Sequence, residues 1–119
     1  MIAIVALATV VAGGAYAAWR YFGGSGTPSP SYSDLAYADA SARNVLDIYL
    51  PAGTGPFPFV VDIHGGAFRI GDKADESVVQ EILDAGIAVV RPNYRYSTDA
   101  VWPAQGDDLM AAAISTRIL

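Results

Sequence analysis

Cysteine is absent from the 119 residues, and histidine occurs once. No disulfide framework, thiolate zinc site, cysteine nucleophile or lipid-modified N-terminal cysteine can be built from such a chain. A single imidazole also cannot form a multi-histidine metal cluster. Positive charge is scarce: 7 Lys and Arg stand against 12 Asp and Glu, a formal net charge of −5. That balance argues against nucleic acid as a partner, because binding a phosphate backbone needs basic patches. No G-x-G-x-x-G opens a helix after a strand, so a dinucleotide-binding domain is a poor fit and no cofactor is called for. At this length one domain is the ceiling.

What is present begins with a run free of charge. Met1 to Trp19 carries no charged side chain, and the first is Arg20. Nineteen helical residues rise about 28 Å at roughly 1.5 Å each, close to the ~30 Å hydrocarbon thickness of a bilayer. The run also lacks the polar stripe of a core helix in a small domain. Residues 1–20 are therefore expected to be a hydrophobic membrane anchor or signal segment outside the fold. Ala15-Tyr16-Ala17 fits a small-x-small cleavage pattern, but no Lys or Arg precedes the apolar run, which favours an uncleaved anchor. The expected location is membrane-anchored or exported to the cell envelope, with the side of the membrane left open. Residues 21–33 read as a linker, flexible through Gly and Ser and extended by Pro28 and Pro30.

Residues 34–119 carry the fold. Asp34–Ala38 and Asn44–Leu50 are expected as two strands joined by a polar turn around Asp39–Arg43. Leu46, Ile48 and Leu50 share one face of the second, and Asp47 and Tyr49 the other. Phe57–Ile63 is nearly continuously apolar, which predicts a strand covered on both faces, with Asp62 near its carboxyl end. Val78, Val79, Ile82 and Leu83 repeat with helical period and predict a helix over 72–85, capped by Asp72 or Asp75 and closed by Gly86. Ile87–Val90, ended before Pro92, completes a right-handed strand–helix–strand unit with parallel strands. A second helix begins at Pro103, with Met110, Ala113, Ile114 and Ile118 as its apolar stripe.

The chemistry concentrates at His64-Gly65-Gly66-Ala67-Phe68, directly after an apolar strand. Two glycines there let the backbone turn sharply and present N–H groups with no side chain in the way. Such donors can hold an oxyanion, where losing one costs roughly 10²–10³ in rate. An ordinary Gly-Gly turn beside a hydrogen-bonded histidine is the alternative that the pentapeptide alone leaves open.

Four collinear stretches extend the pattern: Arg43 to Pro51 (R-N-V-L-D-I-Y-L-P), the H-G-G-A-F loop, Asn93 to Ser97 (N-Y-R-Y-S), and Pro103-Ala104-Gln105 followed by Asp108. Together they resemble the α/β-hydrolase fold, specifically esterases related to hormone-sensitive lipase and to bacterial feruloyl-esterase-like carboxylesterases. The resemblance implies the N-terminal, incomplete part of an α/β-hydrolase, an antiparallel hairpin leading into a parallel sheet; the hydrophobic helix expected from the charge-free run precedes it. It implies oxyanion donors at the backbone N–H groups of Gly66 and Ala67, with His64 and Gly65 supporting the loop. Arg95 and Asp108 are implied as a structural ion pair, against two solvated charges as the plain alternative. Tyr94, Tyr96 and Trp102 are candidates to wall an acyl pocket. The expected substrate is a small acyl ester; an amide substrate of the formamidase or peptidase kind and a non-catalytic binding module on a membrane tether are the alternatives.

None of the catalytic triad can be assigned. No G-x-S-x-G elbow occurs; Gly23-Gly24-Ser25-Gly26-Thr27 fails at its last position, and Ser77, Ser97 and Ser115 lack an elbow context. The triad order of this fold is Ser, then acid, then His, all after the oxyanion loop, so His64 is not the base. These 119 residues alone are expected to hydrolyse p-nitrophenyl acetate no faster than background; triad-dependent turnover by this polypeptide would overturn that expectation.

Overall fold

The structure, a computed structural model, describes residues 27–117. Strands β1 (Tyr32–Ala36), β2 (Val45–Tyr49), β3 (Phe59–Val61) and β4 (Ala88–Pro92) form one sheet in the order β1-β2-β4-β3, with helices α1 (Val79–Asp84) and α2 (Ala104–Ser115). The first two pairings are antiparallel, and β3 pairs with β4 in parallel across the α1 crossover. An antiparallel hairpin thus leads into a parallel pair, the expected mixed sheet. Residues 1–20, expected as a hydrophobic anchor helix, lie outside the described residues. Among the described residues, no helix is long and apolar enough to cross a membrane.

Period two in β2 and β4 builds two cores. Leu46, Ile48 and Val90 point to one face and meet Ala112 of α2. Tyr49 and Val89 point to the other and meet Val79, flanked by Ile82 and Leu83 of α1. One helix therefore covers each face, the arrangement that lets the two inner strands be buried on both sides.

Several boundaries differ from the sequence expectation, each for a local reason. The first strand starts earlier and is irregular between Tyr32 and Leu35. There Asp34 takes φ 54° and its N–H donates to Asp47 Oδ1 at 2.9 Å. The run Phe57–Ile63 yields only a three-residue strand at the sheet edge, and its Val60 stays 38% exposed, so it is not covered on both faces. The strand expected to stop before Pro92 includes it, because Pro92 closes the ladder opposite Leu46 and its missing N–H is not needed there.

Helix α1 is much shorter than the predicted 72–85. Asp72 and Asp75 do not cap it; they fold the preceding segment into turns, Asp75 Oδ2 accepting from Asp72 N at 2.8 Å and Asp72 Oδ1 from Ala74 N at 2.9 Å. Ser77 Oγ donates to Asp62 Oδ2 instead of a helix terminus. Gly86 does sit in the left-handed region at φ 79°, donating to Leu83 O as a terminating residue does.

The apolar stripe predicted for the second helix is also corrected. Met110 and Ile114 are 62% and 53% exposed. The buried residues of α2 are Gln105, Asp108 and Ala112, so a largely polar face turns inward. Gln105 Nε2 donates to Ala100 O at 2.8 Å and Asp108 meets Arg95, which provides the partners that buried polar groups need.

Lys73, in the turns before α1, is buried with its Nζ 2.7 Å from Asp47 Oδ1 and 2.9 Å from Asp34 Oδ1. Burial disfavours its charge, but the hydrogen bonds it donates to both carboxylates outweigh that and raise its pKa. Removing one partner from a buried pair leaves an uncompensated charge, at a cost of about 3–5 kcal/mol. Lys73→Met in the full-length protein is accordingly expected to lower the urea unfolding free energy by about 3 kcal/mol; a loss below about 1 kcal/mol would show Asp47 to be satisfied without it.

Candidate active site

The candidate site starts where β3 runs out. Asp62 N still donates to Val90 O at 2.8 Å, one residue past the strand, and the chain then turns away through His64 and Gly65. Gly66, Ala67 and Phe68 follow with φ of 118°, 54° and 60°. At Gly66 a Cβ would stand 2.0 Å from Ile70 O, so only glycine fits there. Ala67 and Phe68 occupy the left-handed helical region, which an L-residue can adopt at roughly 1–2 kcal/mol. Alanine in place of a glycine at 67 is therefore compatible with the turn. Two adjacent non-glycine residues held this way mark a segment whose surroundings over-determine it.

The loop closes upon its own carbonyls. Gly66 O accepts from Arg69 N at 3.0 Å and Ile70 N at 3.2 Å, and Phe68 O accepts from Ser97 N at 2.7 Å. Among the described residues, no hydrogen bond of the loop is donated by the amides of residues 65–68. The loop's hydrogen bonds thus use its carbonyls and leave these amides unspent.

His64 is 6% exposed and braces this turn from beneath. Its Nδ1 donates to Gly65 O at 2.8 Å, and its ring stacks on Tyr94 with centroids 4.5 Å apart. The Tyr94 hydroxyl donates to His64 O at 2.9 Å, and Phe68 meets the same tyrosine edge-on. Burial raises the Tyr94 phenol pKa, so this hydroxyl remains a donor. His64 Nε2 is buried with no partner among the described residues.

Arg95 and Asp108 lie together. Arg95 Nε and Nη2 donate to the Asp108 carboxylate at 3.0 and 2.8 Å, and the Arg95 backbone N–H adds a third contact at 2.9 Å. The pair ties the segment after β4 to α2. Burial works against the Asp108 charge, yet hydrogen bonds from the Arg95 side chain and backbone and from Asn44 outweigh it and lower its pKa. Asp72 is lowered likewise: burial opposes ionisation, and donors from Ala74 and Asn93 with the charges of Lys73 and Arg43 overcome it.

The three aromatics expected to wall an acyl pocket do not share one wall. Tyr94 is buried under His64, and the Tyr96 hydroxyl donates to Gly71 O at 2.5 Å. Trp102 is 69% exposed and its ring covers Gly106. Ser77 and Ser115 spend their hydroxyls on Asp62 and on Ala112 O. Sequence reasoning assigned no role to Arg43, whose guanidinium donates to Tyr94 O and Gly71 O. Nothing in its spacing signals these contacts.

The mixed sheet with a helix on each face and a self-bonded glycine turn leaving a parallel strand define an esterase-type α/β-hydrolase chain. The family model BD-FAE matches residues 46–115, more than half of the sequence, and the chain belongs to that family. The Arabidopsis thaliana protein named probable isoprenylcysteine alpha-carbonyl methylesterase is 43% identical over 63 residues, 51% of this chain and 13% of its own length. The solved structure of a bifunctional GH43-CE protein from Bacteroides eggerthii superposes with a TM-score of 0.60 at 41% identity, covering 68% of this chain and 11% of that one. Esterase B from Lactobacillus rhamnosis, inhibited by a tributyrin phosphonate, gives a TM-score of 0.59 at 27% identity over 92% of this chain and 38% of its own. The chain thus spans a small part of the relatives it matches.

The sign of the acid dependence follows from the two lowered carboxyls. With folded pKa values below the ordinary 3.8, the stability that Asp72 and Asp108 contribute is complete above about pH 5 and is lost as pH falls through the depressed values. Urea unfolding across this range is expected to show a steep acid limb, and Asp108→Asn is expected to flatten it. An unchanged limb in that variant would remove Asp108 from the account.

Proposed function

We propose that the chain supplies the oxyanion-binding part of a serine carboxylesterase acting on small acyl esters. The observation that carries this reading is the pair of unspent amides at Gly66 and Ala67, on a turn fixed by its own carbonyls at the carboxyl end of a parallel strand. When a hydroxyl attacks an ester carbonyl, the carbonyl oxygen takes up negative charge. Amides already aimed at it need no reorganisation at that moment, which makes such donors effective. His64 and Gly65 support the turn, and Arg95 with Asp108 holds the neighbouring segment against α2.

The serine, its base and the acid belong to the remainder of the protein in this reading, since the single histidine is committed to the loop. The esterase names of the relatives support an ester substrate. Those relatives differ in what their names say they act on, and the proposal stays with a small acyl ester. The charge-free run at 1–19 supports a membrane-anchored or exported enzyme.

The full-length protein is expected to hydrolyse p-nitrophenyl acetate and to be labelled covalently by a fluorophosphonate. Gly66→Ala, which forces a Cβ against Ile70 O, is expected to lower kcat by about 10²-fold or more while fluorophosphonate labelling persists more slowly. Full activity in that variant would sink the oxyanion assignment. Absence of labelling in the unmodified protein would favour the binding module, and faster turnover of p-nitroacetanilide than of the ester would favour the amide hydrolase.

A further inference from the structure

Arg43 lies in the turn between β1 and β2, two strands removed from β3 in the sheet order. Its guanidinium nevertheless reaches the glycine loop. Nε donates to Tyr94 O at 2.8 Å and Nη2 to Gly71 O at 3.2 Å. Nη1 stands 3.8 Å from Asp72 Oδ2, and the plane lies over the Tyr96 ring with Cζ 3.9 Å from its centroid. All three nitrogens and one face are engaged by groups that belong to the loop or to the segment beneath it.

The two carbonyls it holds are the supports of the proposed oxyanion turn. Gly71 closes the loop against its start: a Cβ there would fall 2.3 Å from Gly65 O and 2.6 Å from His64 Nδ1, so movement of Gly71 displaces His64 and Gly65 directly. The Gly71 carbonyl accepts from Tyr96 as well. Tyr94 carries the ring on which His64 stacks and the hydroxyl that holds His64 O. Fixing both supports fixes the turn between them.

We propose that Arg43 is a positioning residue for catalysis: by clamping the carbonyls of Gly71 and Tyr94 it sets where the Gly66 and Ala67 amides stand. This rests on the oxyanion reading. Arg43 touches no substrate in this account and acts through the loop. A planar fork that donates in two directions while stacking on a tyrosine cannot be replaced by an ammonium, so lysine is not a conservative change here. A misplacement of about 1 Å at a reacting centre can cost about 10²-fold in rate.

The test uses the full-length protein and its Arg43→Lys, Arg43→Met and Tyr96→Phe variants. Steady-state hydrolysis of p-nitrophenyl acetate is combined with amide hydrogen exchange over residues 64–72 and with thermal melts. Both Arg43 variants are expected to lose about 30- to 100-fold in kcat with KM within about threefold. Exchange should accelerate over 64–72 but not in β2 or β4. Tyr96→Phe, which keeps the stacking ring and removes one of the two donors to Gly71 O, is expected to lose about fivefold in kcat, giving a graded series if an Arg43 variant folds poorly. An active wild type whose folded variants keep their kcat, or lose it only with a matching rise in exchange across the whole sheet, would end the clamp alone. A wild type inert towards the ester would end the oxyanion reading and the clamp's catalytic role together.

Discussion

Much of the structure is organised by a close approach of backbone to backbone. Gly66 and the Ile70 carbonyl sit so near that no side chain fits between them, and that contact forces the chain after β3 to fold upon itself. Once the Gly66 carbonyl is taken by Arg69 and Ile70, Ala67 and Phe68 are left in the left-handed region and the amides at the turn have no partner among the described residues. A more open loop would let these amides turn to solvent or pair with neighbouring carbonyls. Steric exclusion removes conformational freedom there, which is what the proposed oxyanion role requires of its donors.

That exclusion alone would not hold the loop in place on the sheet. A buried polar framework does so. Asn93 Oδ1 accepts from Lys73 N and its Nδ2 donates to Asp72. The Tyr37 hydroxyl donates to Asn93 O and accepts from Asn44, and Arg91 reaches the Asp75 carbonyl with its Nε beside Asp62. These groups cluster at the end of the sheet from which the glycine loop leaves. Low dielectric strengthens each of these hydrogen bonds, so the network favours one arrangement over near alternatives, with Asn44 Oδ1 left without a partner among the described residues. The apolar cores on the two faces bind the helices, whereas the polar framework fixes the loop.

The legible part of the fold was the part written in short periods. Leu46, Ile48 and Tyr49 alternate as expected, Gly86 ends a helix, and the strand–helix–strand unit makes the parallel pair. The loop at 64–68 was found from its residue types. Errors came where polar residues had competing uses. Asp72 and Asp75 look like helix caps by spacing, but their carboxylates are claimed by turn amides and by Asn93. On α2 the exposed Met110 and Ile114 imitate a core stripe, while the inward face carries Gln105 and Asp108 because polar groups await it there. Sequence patterning assumes that apolar faces turn inward, and here Gln105 and Asp108 turn inward to polar partners while Ala112 meets the apolar core.

By itself the sequence determined the punctuation and the alternation: where glycine and proline break the chain, which strand faces are apolar, and which glycine-rich segment follows the third strand. Those properties are local, set by the backbone freedom and side-chain character of neighbours within a few positions. Only the tertiary structure decided that the Gly66 and Ala67 amides stay out of the loop's own hydrogen bonds, that Tyr94 stacks on His64 and holds its carbonyl, and that Arg43 reaches the loop. Arg43 finds its carbonyl partners 51 and 28 residues along the chain. Such contacts arise from how the sheet brings distant turns together, and no spacing within a segment encodes them.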